Sequence, residues 1–353
     1  MAPARRAGLA DGVQLERFDP GRDQAAVRLC HELYLAGLPV DDPRLPAMSR
    51  RAFTAWLALG WTEDHPEAWL ARDEAGRICA WYSITFSERE NTHLARLTPL
   101  VGPGYRRRGI GTALVRHAAA QAHVRGRTQL AAESRQGSPA EAFCRALGAG
   151  LGLTEAVRVL RVSDIPDGHL PALRSRAQAA APGYALVSWE GPVPERHLAN
   201  VVALNHAMND APIEEQREGQ VWDVARLHAS QARVAAAGLR HYTVAARCER
   251  TGELAGMTQL GVDPFTPHWG FQEMTAVARQ HRGHRLGLLV KVVMLQLLAD
   301  HEPQLDQIVT GNADSNEHMI AINAELGFQV ADYWLSWELP VASVLAPQAA
   351  AQS

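Results

Sequence analysis

The amino-acid sequence predicts an α/β (α+β) fold made of two tandem domains of one type, each a mixed, mostly antiparallel central sheet flanked by helices. A strand-turn-strand pattern occurs twice, and its turn glycines, Gly76 and Gly252, are 176 positions apart. An arginine-rich loop also occurs twice, with Arg106 and Arg282 separated by the same 176 positions. An apolar helical pattern follows each loop. Two features that recur at the same separation of 176 residues indicate a duplicated domain.

The strands are predicted from short apolar runs bounded by turn residues. In the first copy they cover 68–72, 78–86, 93–101, 128–132 and 156–162. In the second copy they cover 241–247, 254–262, 270–277, 307–310 and 333–339. Each copy is therefore predicted to have the order strand, helices, three meandering strands, helix, strand, helix and closing strand.

Helices are predicted from apolar residues at three- and four-residue spacing. The helix after the second loop has one apolar face, which includes Leu286, Leu289, Val293 and Leu297. A later helix in each copy ends before a glycine, as helices commonly do. We expect a first domain at 1–165, a Pro-, Ala- and Arg-rich linker at 166–182, and a second domain at 183–353 with a disordered tail after about 341.

Composition and charge exclude several classes of protein. The net charge is −3, so the chain has no excess of cations for a nucleic-acid backbone or an anionic membrane. The four cysteines form no CxxC pair, and no run of about 18 apolar residues is present. We expect a cytoplasmic protein with reduced thiols, without a nucleic-acid or membrane partner. Lysine occurs once, at Lys291, and the other 34 basic residues are arginine. This excess of arginine over lysine is typical of a coding bias toward G and C.

The two arginine-rich loops are candidates for a phosphate site. A glycine-rich turn between a strand and a helix directs free backbone N–H groups and the positive end of the helix dipole at one point, which suits a pyrophosphate. An Arg-Gly turn can also be a simple connection, but two copies in one context favour binding. A Rossmann site requires parallel strands joined by helical crossovers, and a P-loop requires Gly-Lys-Ser/Thr; the sequence has neither pattern.

Residues 101–111 match the pattern V-x-x-x-x-[RQ]-x-x-G-x-[GA] throughout. Residues 277–287 keep the valine, Arg282 and Gly287, but have Arg285 at the first glycine, for which Gly283 would partly compensate. On these residues the sequence resembles the GNAT superfamily of N-acetyltransferases. Its tandem arrangement is similar to that of mycothiol synthase and other two-domain acetyltransferases.

The resemblance implies that each sheet splays between its fourth and fifth strands, and that acetyl-CoA or another short acyl-CoA lies in the opening. The implied contacts combine the loop with the end of the preceding strand. In the first copy these residues are Leu100, Val101, Arg106, Arg107, Arg108, Gly109, Ile110, Gly111 and Thr112. In the second copy they are Ala276, Val277, Arg282, Gly283, His284, Arg285, Leu286, Gly287, Leu288, Asn312 and Asn316.

A second motif of the family, N-x-x-A-x-x-L-Y-x-x-x-G-F, is similar to the segment that ends at Phe328. The resemblance makes Asn316 a cofactor contact. It also places Asn323 where many members carry a tyrosine that protonates the leaving thiolate. Asparagine can at most donate a hydrogen bond there. The first copy has Gly137 and Cys144 at these two positions, so it is less complete for catalysis.

Glu273 is the candidate general base, because an amine must lose a proton when it attacks a thioester. Its parity matches that of Thr275 and Val277, so all three side chains are predicted on one face of the sheet. The alternative is a solvent-exposed strand carboxylate without a catalytic role.

Acidic residues in the connections at 37–48 and 208–218 are candidates for binding a cationic amine. They are Asp41, Asp42, Glu214 and Glu215. The alternative is that these loops are acidic because they are solvated. Lys291 is predicted either to reach phosphate or to lie on a solvated helix face. His281 and His284 lack further ligands, so we expect no metal.

The sequence therefore predicts an acetyl-CoA-dependent N-acetyltransferase that acts on a primary amine, most simply on a small molecule, with the second domain catalytic. Two alternatives stay open. One is a catalytically degenerate acyl-CoA-binding protein, which the residues at 144 and 323 favour. The other is a protein lysine acetyltransferase.

Overall fold

The structure is a computed structural model that describes residues 7–8, 12–60, 64–210 and 217–346. Its strands are β1 (Ala7–Gly8), β2 (Gln14–Phe18), β3 (Glu67–Arg72), β4 (Ile78–Phe86), β5 (Leu94–Val101), β6 (Gln129–Arg135), β7 (Gly150–Arg161), β8 (Tyr184–Glu190), β9 (Arg240–Cys248), β10 (Leu254–Val262), β11 (Trp269–Val277), β12 (Gln307–Ala313) and β13 (Gln329–Pro340). Its helices are α1 (Gln24–Asp41), α2 (Arg50–Leu59), α3 (Ile110–Val124), α4 (Pro139–Ala146), α5 (His169–Ala179), α6 (Leu198–Ala207), α7 (Val224–Ala237), α8 (Leu286–His301), α9 (Glu317–Leu326) and α10 (Val341–Leu345).

The chain forms two compact units. Unit 1 comprises Met1–Leu153 and Trp334–Ser353, and unit 2 comprises Thr154–Tyr333. The sheet of unit 1 has the order β1-β2-β3-β4-β5-β6-β13, and the sheet of unit 2 has the order β7-β12-β11-β10-β9-β8. Within each sheet all neighbours are antiparallel except β5 with β6 and β11 with β12, which are parallel. The predicted mixed, mostly antiparallel fold is confirmed, and six strands have the same order in both units.

The units do not follow the predicted domain boundaries at 165 and 183. The strand predicted to close the first copy is part of β7, and its residues 155–161 pair with β12 in unit 2. The strand predicted to close the second copy is part of β13, and residues 334–340 pair with β6 in unit 1. The two copies have exchanged their closing strands. Local periodicity identifies a strand, but the pairing partner depends on tertiary structure, so the sequence did not reveal the exchange.

The predicted linker and the predicted tail also differ from expectation. The predicted linker contains α5, which packs Leu173 and Ala177 into the core of unit 2. These two residues are four positions apart, which is helical spacing, and both are fully buried. The predicted disordered tail begins with α10, where Val341 is buried in the core of unit 1.

Each sheet carries helices on both faces. In unit 1, α3 packs through Leu114 and Ala118 on one face, while α1 and α2 pack through Val27 and Phe53 on the other. In unit 2, α5 and α8 cover one face, and α6 and α7 cover the other with residues such as Leu204. α8 is buried over most of its surface, so it lacks the single apolar face predicted for it.

Candidate functional site

The fourth strand of each sheet separates from the fifth strand after a short pairing. β5 and β6 pair from Leu94–Gln129 to Arg96–Ala131, whereas β5 continues to Val101 along β4. β11 and β12 pair from Trp269–Gln307 to Phe271–Val309, whereas β11 continues to Val277 along β10. The carboxyl half of the fourth strand thus has an open edge in both units. Such an edge presents backbone donors and acceptors to an extended ligand.

The two loops that follow these strands have one backbone conformation. Each begins with a 3-10 turn, at Pro103–Tyr105 or Arg279–His281. Two positions in each then have positive φ, at 62° for Arg107 and 78° for Gly109, and at 84° for Gly283 and 53° for Arg285. Each loop therefore has one glycine and one arginine at these positions, in opposite order. The left-handed conformation costs a non-glycine residue roughly 1–2 kcal/mol. Gly283 therefore does not take the place of Gly109, because Arg285, which precedes α8 as Gly109 precedes α3, itself adopts the left-handed conformation.

The helices after the loops start without a side-chain cap. Gly109 precedes α3 and Arg285 precedes α8, and neither cap residue accepts a backbone N–H with its side chain. By contrast, Asp223 caps α7 and Asn316 caps α9 through their side chains. The first N–H groups of α3 and α8 are thus suited to bind an anion.

Gly111 and Gly287 each lie close to a side chain of a neighbouring helix. A Cβ atom on Gly111 would lie 3.2 Å from Cζ of Phe143 in α4. A Cβ atom on Gly287 would lie 3.1 Å from Cδ1 of Ile322 in α9. The sequence analysis named both glycines as implied cofactor contacts, and the structure shows that each is also tightly packed against the next helix.

In both units an arginine of the loop is held by an aspartate. Arg106 donates Nε–H to the Val101 carbonyl at 3.0 Å, and its guanidinium binds both carboxylate oxygens of Asp41 at 2.9 and 2.6 Å. Arg282 donates to a single oxygen of Asp210, Oδ2, at 2.6 Å, and Arg279 donates to the other oxygen, Oδ1, at 2.6 Å. The hydrogen bonds from both arginines lower the pKa of Asp210.

These pairs change the interpretation of the acidic connections. Asp41 was predicted to bind the acceptor amine, but it holds the loop through Arg106. Asp42 caps the end of α1, and Glu214 and Glu215 lie outside the described residues. The sequence analysis missed Asp210, although it lies in the connection that was singled out.

The remaining loop side chains in unit 1 are exposed, and Arg108 stacks over the ring of Tyr105 at 5.7 Å. In unit 2 the Arg285 guanidinium binds Glu325 of α9 at 2.6 Å, and the ring of His284 packs on Tyr184. Arg108 therefore remains a candidate phosphate ligand in unit 1.

Glu273 lies at a β-bulge. Thr258 pairs with Thr275 and Leu260 pairs with Gln272, so β11 has one extra residue between these pairs. The bulge breaks the alternation of side chains. Gln272 and Thr275 both bond the Thr258 hydroxyl and share one face, opposite to Glu273. The predicted common face of Glu273 and Thr275 is therefore wrong.

The Glu273 carboxylate accepts a hydrogen bond from His241 Nε2 at 3.1 Å. About a third of its side chain is exposed, at 32%. Burial raises the pKa of Glu273, but the hydrogen bond and charge of His241 and the charge of Arg233 outweigh it, so its pKa lies below the usual value. The carboxylate is ionised at neutral pH. The sequence analysis missed His241, which lies on β9, on the far side of β10 from β11, and reaches Glu273 across Gly261.

The asparagines of the second motif form part of the core of unit 2. Asn323 is fully buried and donates Nδ2–H to Asn312 Oδ1 at 2.6 Å. Its own Oδ1 accepts a hydrogen bond from Lys291 Nζ at 2.6 Å. The sequence analysis expected Lys291 either to reach phosphate or to lie on a solvated helix face. In the structure its side chain is only 2% exposed and lies in the core of unit 2.

Unit 1 has apolar or thiol groups where unit 2 is polar. The position 176 residues before Lys291 is Val115, which is buried. Cys144 takes the place of Asn323, and burial raises its pKa to about 11. At neutral pH it is a thiol. Unit 1 thus combines an open strand edge and an uncapped helix with no ionised group at these positions.

Comparisons with known proteins give a family match and structural neighbours. The model of the acetyltransferase (GNAT) family matches residues 28–149. A tandem GNAT protein from the clavulanic acid biosynthesis pathway is similar over 93% of this chain and 98% of its own, with 27% identity and a TM-score of 0.79. No curated protein matches the chain.

Two more distant structures share the fold. A GCN5-related N-acetyltransferase from Sphaerobacter thermophilus has 16% identity and a TM-score of 0.62, and covers 95% of this chain and 97% of its own. An acetyltransferase from Pyrococcus horikoshii, described as putative in its name, has 12% identity and a TM-score of 0.53, and covers 95% and 91%.

Within the described ranges, no cluster of three or more His, Cys, Asp or Glu side chains could hold a metal ion. None of the helices that the structure describes is long and apolar enough to span a membrane. The chain therefore contains a GNAT acetyltransferase domain at residues 28–149, and as a whole it has the fold of a tandem GNAT protein, which supports acyl transfer.

Proposed function

We propose that the protein is an acetyl-CoA-dependent N-acetyltransferase that acts on the primary amine of a small molecule, with the transfer in unit 2. The observation that carries the proposal is Glu273, an ionised and accessible carboxylate on the strand with the open edge. In unit 1 the matching part of β5 has no bulge, and the exposed Thr98 lies between the positions that match Gln272 and Thr275. A carboxylate is therefore present in unit 2 and absent from the matching position of unit 1.

The residues of each unit fit an acyl-CoA. The uncapped N-terminus of α3 or α8 would hold the pyrophosphate through backbone N–H groups. The open edge of β5 or β11 would bind the pantetheine amides with strand-like hydrogen bonds. Acyl-CoA supplies an activated thioester. Asp41 and Asp210 hold the loops in place through Arg106 and Arg282.

In this mechanism Glu273 accepts the proton of the attacking amine, and His241 fixes the orientation of the carboxylate. The bulge turns Glu273 toward the face covered by α6 and α7. We place the acceptor on that face. Asn323 does not take the role of the family tyrosine, because its amide is bound to Asn312 and cannot release a proton at neutral pH.

The test is release of free thiol from acetyl-CoA in the presence of a panel of small primary amines and a lysine-containing peptide. Glu273→Gln should lower kcat/KM by roughly 100-fold with little change in acetyl-CoA affinity, because general-base catalysis commonly contributes that much. Glu249→Gln, an exposed turn residue of unit 2, is the matched control and should keep full activity.

Full activity of Glu273→Gln between pH 6 and 9 would contradict this assignment. Binding of acetyl-CoA without turnover of any amine would instead favour the acyl-CoA-binding alternative, which Cys144 and Asn323 also favour. Turnover of the peptide alone would favour a protein acceptor.

A further inference from the structure

The single lysine of the chain is buried. Lysine occurs once among 353 residues, whereas arginine occurs 34 times. Lys291 lies on α8 and is 2% exposed. Arginine stays charged at every accessible pH, while lysine can lose its proton when buried. The one basic side chain that can become neutral in this way is thus enclosed in the core of unit 2.

Lys291 is connected to the open strand edge through two amides. Its Nζ donates to Asn323 Oδ1 at 2.6 Å, and Asn323 Nδ2 donates to Asn312 Oδ1 at 2.6 Å. Asn312 lies on β12 three residues beyond Val309, the last residue that pairs with β11. The Lys291–Asn323–Asn312 chain therefore leads from the inside of α8 to the part of β12 that faces the opening.

Within the described part of the chain, the contacts of the Lys291 ammonium are with neutral side chains. Besides Asn323, its ammonium lies 5.2 Å from the ring centre of Phe328. Burial lowers the pKa of Lys291 to about 7. A buried charge without an anion is costly, and an anion nearby would favour the charged form.

Charged groups on the elements around α8 are engaged elsewhere. Glu302, at the end of α8, binds Arg240 of β9. Glu325 of α9 binds Arg285 of the loop and Arg176 of α5. His281 of the loop bonds the Tyr184 hydroxyl, and His169 of α5 bonds the Glu325 carbonyl. Glu273 of β11 lies on the opposite face of the sheet, with His241. Arg174 of α5 is exposed and bonds Gln296.

The fold does not require this polar chain. Unit 1 has Val115 in place of Lys291 and Cys144 in place of Asn323, and α3 and α4 form there without a buried charge. Replacement of a buried charge by a well-packed apolar group is often neutral or stabilising. A group that costs stability and is absent from the sister unit indicates a function.

We propose that Lys291 is a positioning residue for acyl transfer in unit 2, whose ammonium acts through Asn323 and Asn312 to stabilise negative charge on the coenzyme A sulfur. This inference rests on the proposed function. The amine nitrogen forms a bond to the carbonyl carbon while the carbon–sulfur bond breaks, and the electron pair of that bond stays on sulfur. The amine proton passes to Glu273. Lys291 keeps its proton, and its charge orients the amides toward the sulfur.

One lysine allows a direct measurement. Protein labelled with 13C at lysine Cε gives a single lysine side-chain resonance, whose titration follows Lys291 without assignment. Free protein should titrate near pH 7. Saturation with coenzyme A should raise the midpoint by at least one unit, a tenfold increase in proton affinity, whereas acetyl-CoA, which has the same phosphates but no free thiol, should raise it less.

The outcomes are separable. If coenzyme A and acetyl-CoA both bind and give the same titration midpoint for Lys291, the proposed role of Lys291 is wrong, but the proposed function is unaffected. Failure of both ligands to bind contradicts the proposed function, and the inference about Lys291 falls with it. A larger shift with coenzyme A than with acetyl-CoA supports the proposal.

Variants give a second measurement. Lys291→Met should lower kcat at least tenfold with little change in the KM for acetyl-CoA, and Asn323→Leu should do the same. The double variant should lose no more than either single one, because both residues act through one chain. A purely structural role would instead lower stability without changing kcat. Unchanged kcat and an unchanged pH profile in Lys291→Met would refute the proposal.

Discussion

Asp41→Asn tests whether the aspartate holds the cofactor loop of unit 1. Asparagine keeps the size of the side chain but removes the charge and one acceptor for Arg106. The pair is bidentate, at 2.9 and 2.6 Å, and its side chains are 31% and 23% exposed. Fully exposed ion pairs contribute up to about 1 kcal/mol, and hydrogen bonds between charged groups contribute about 1.5–3 kcal/mol. For this half-buried pair we expect a loss of about 1–2 kcal/mol.

The same loss should appear in ligand binding. If acetyl-CoA must order the loop again when it binds, a loss of about 1–2 kcal/mol makes the dissociation constant at unit 1 roughly 5- to 30-fold larger. Thermal unfolding should shift by about 2–4 °C for each kcal/mol. Titration calorimetry with acetyl-CoA measures the first quantity, and differential scanning calorimetry measures the second.

Two further variants make the experiment specific. Asp210→Asn should weaken the site of unit 2 and leave that of unit 1 unchanged. Glu32→Gln removes a carboxylate from the same helix as Asp41, but its ion pair with Arg28 lies on the surface, so it should change stability by less than about 0.5 kcal/mol. If Asp41→Asn and Glu32→Gln have the same affinity for acetyl-CoA and the same unfolding temperature, the role of Asp41 in holding the loop is refuted.

Three other predictions concern stability. Gly109→Ala places a side chain at φ 78° and should destabilise the protein by about 1 kcal/mol in urea unfolding, whereas Gly104→Ala, with an ordinary φ and open space around it, should not. Gly111→Ala should be destabilising and should be relieved by Phe143→Leu, which removes the ring that the new Cβ meets. For Lys291 the unfolded chain binds a proton between pH 7 and about 10.4 that the folded chain does not, so wild type should gain stability relative to Lys291→Met as pH rises through that range, by up to several kcal/mol in denaturant titrations.

The sequence predicted the features that depend on local pattern. The repeated glycines, the meanders and the strand-loop-helix segments all have local signals, and each is present in the structure. The left-handed residue before α8 was harder to predict, because arginine at that position argues against the conformation that Arg285 adopts. There the tertiary context of the loop outweighs the preference of the residue.

Features that depend on distant partners were not predictable. Asp210 is one of several acidic residues in its connection, and only the structure shows that Arg279 and Arg282 reach it. The face of Glu273 was predicted from alternation, which a one-residue bulge inverts. Lys291 was expected on a solvated helix face, because a lysine is seldom buried and a sequence pattern does not show the neighbours that enclose it.

The exchange of closing strands limits how the two units can be assigned separate roles. Unit 1 needs residues 334–340 beside β6, and unit 2 needs residues 155–161 beside β12. A chain cut between 165 and 183 would leave each half with the closing strand of the other unit and with an open edge where its own is missing. Such edges favour aggregation. Activity lost on dissection would therefore report on folding, so the roles of the units have to be separated by single substitutions in the full chain.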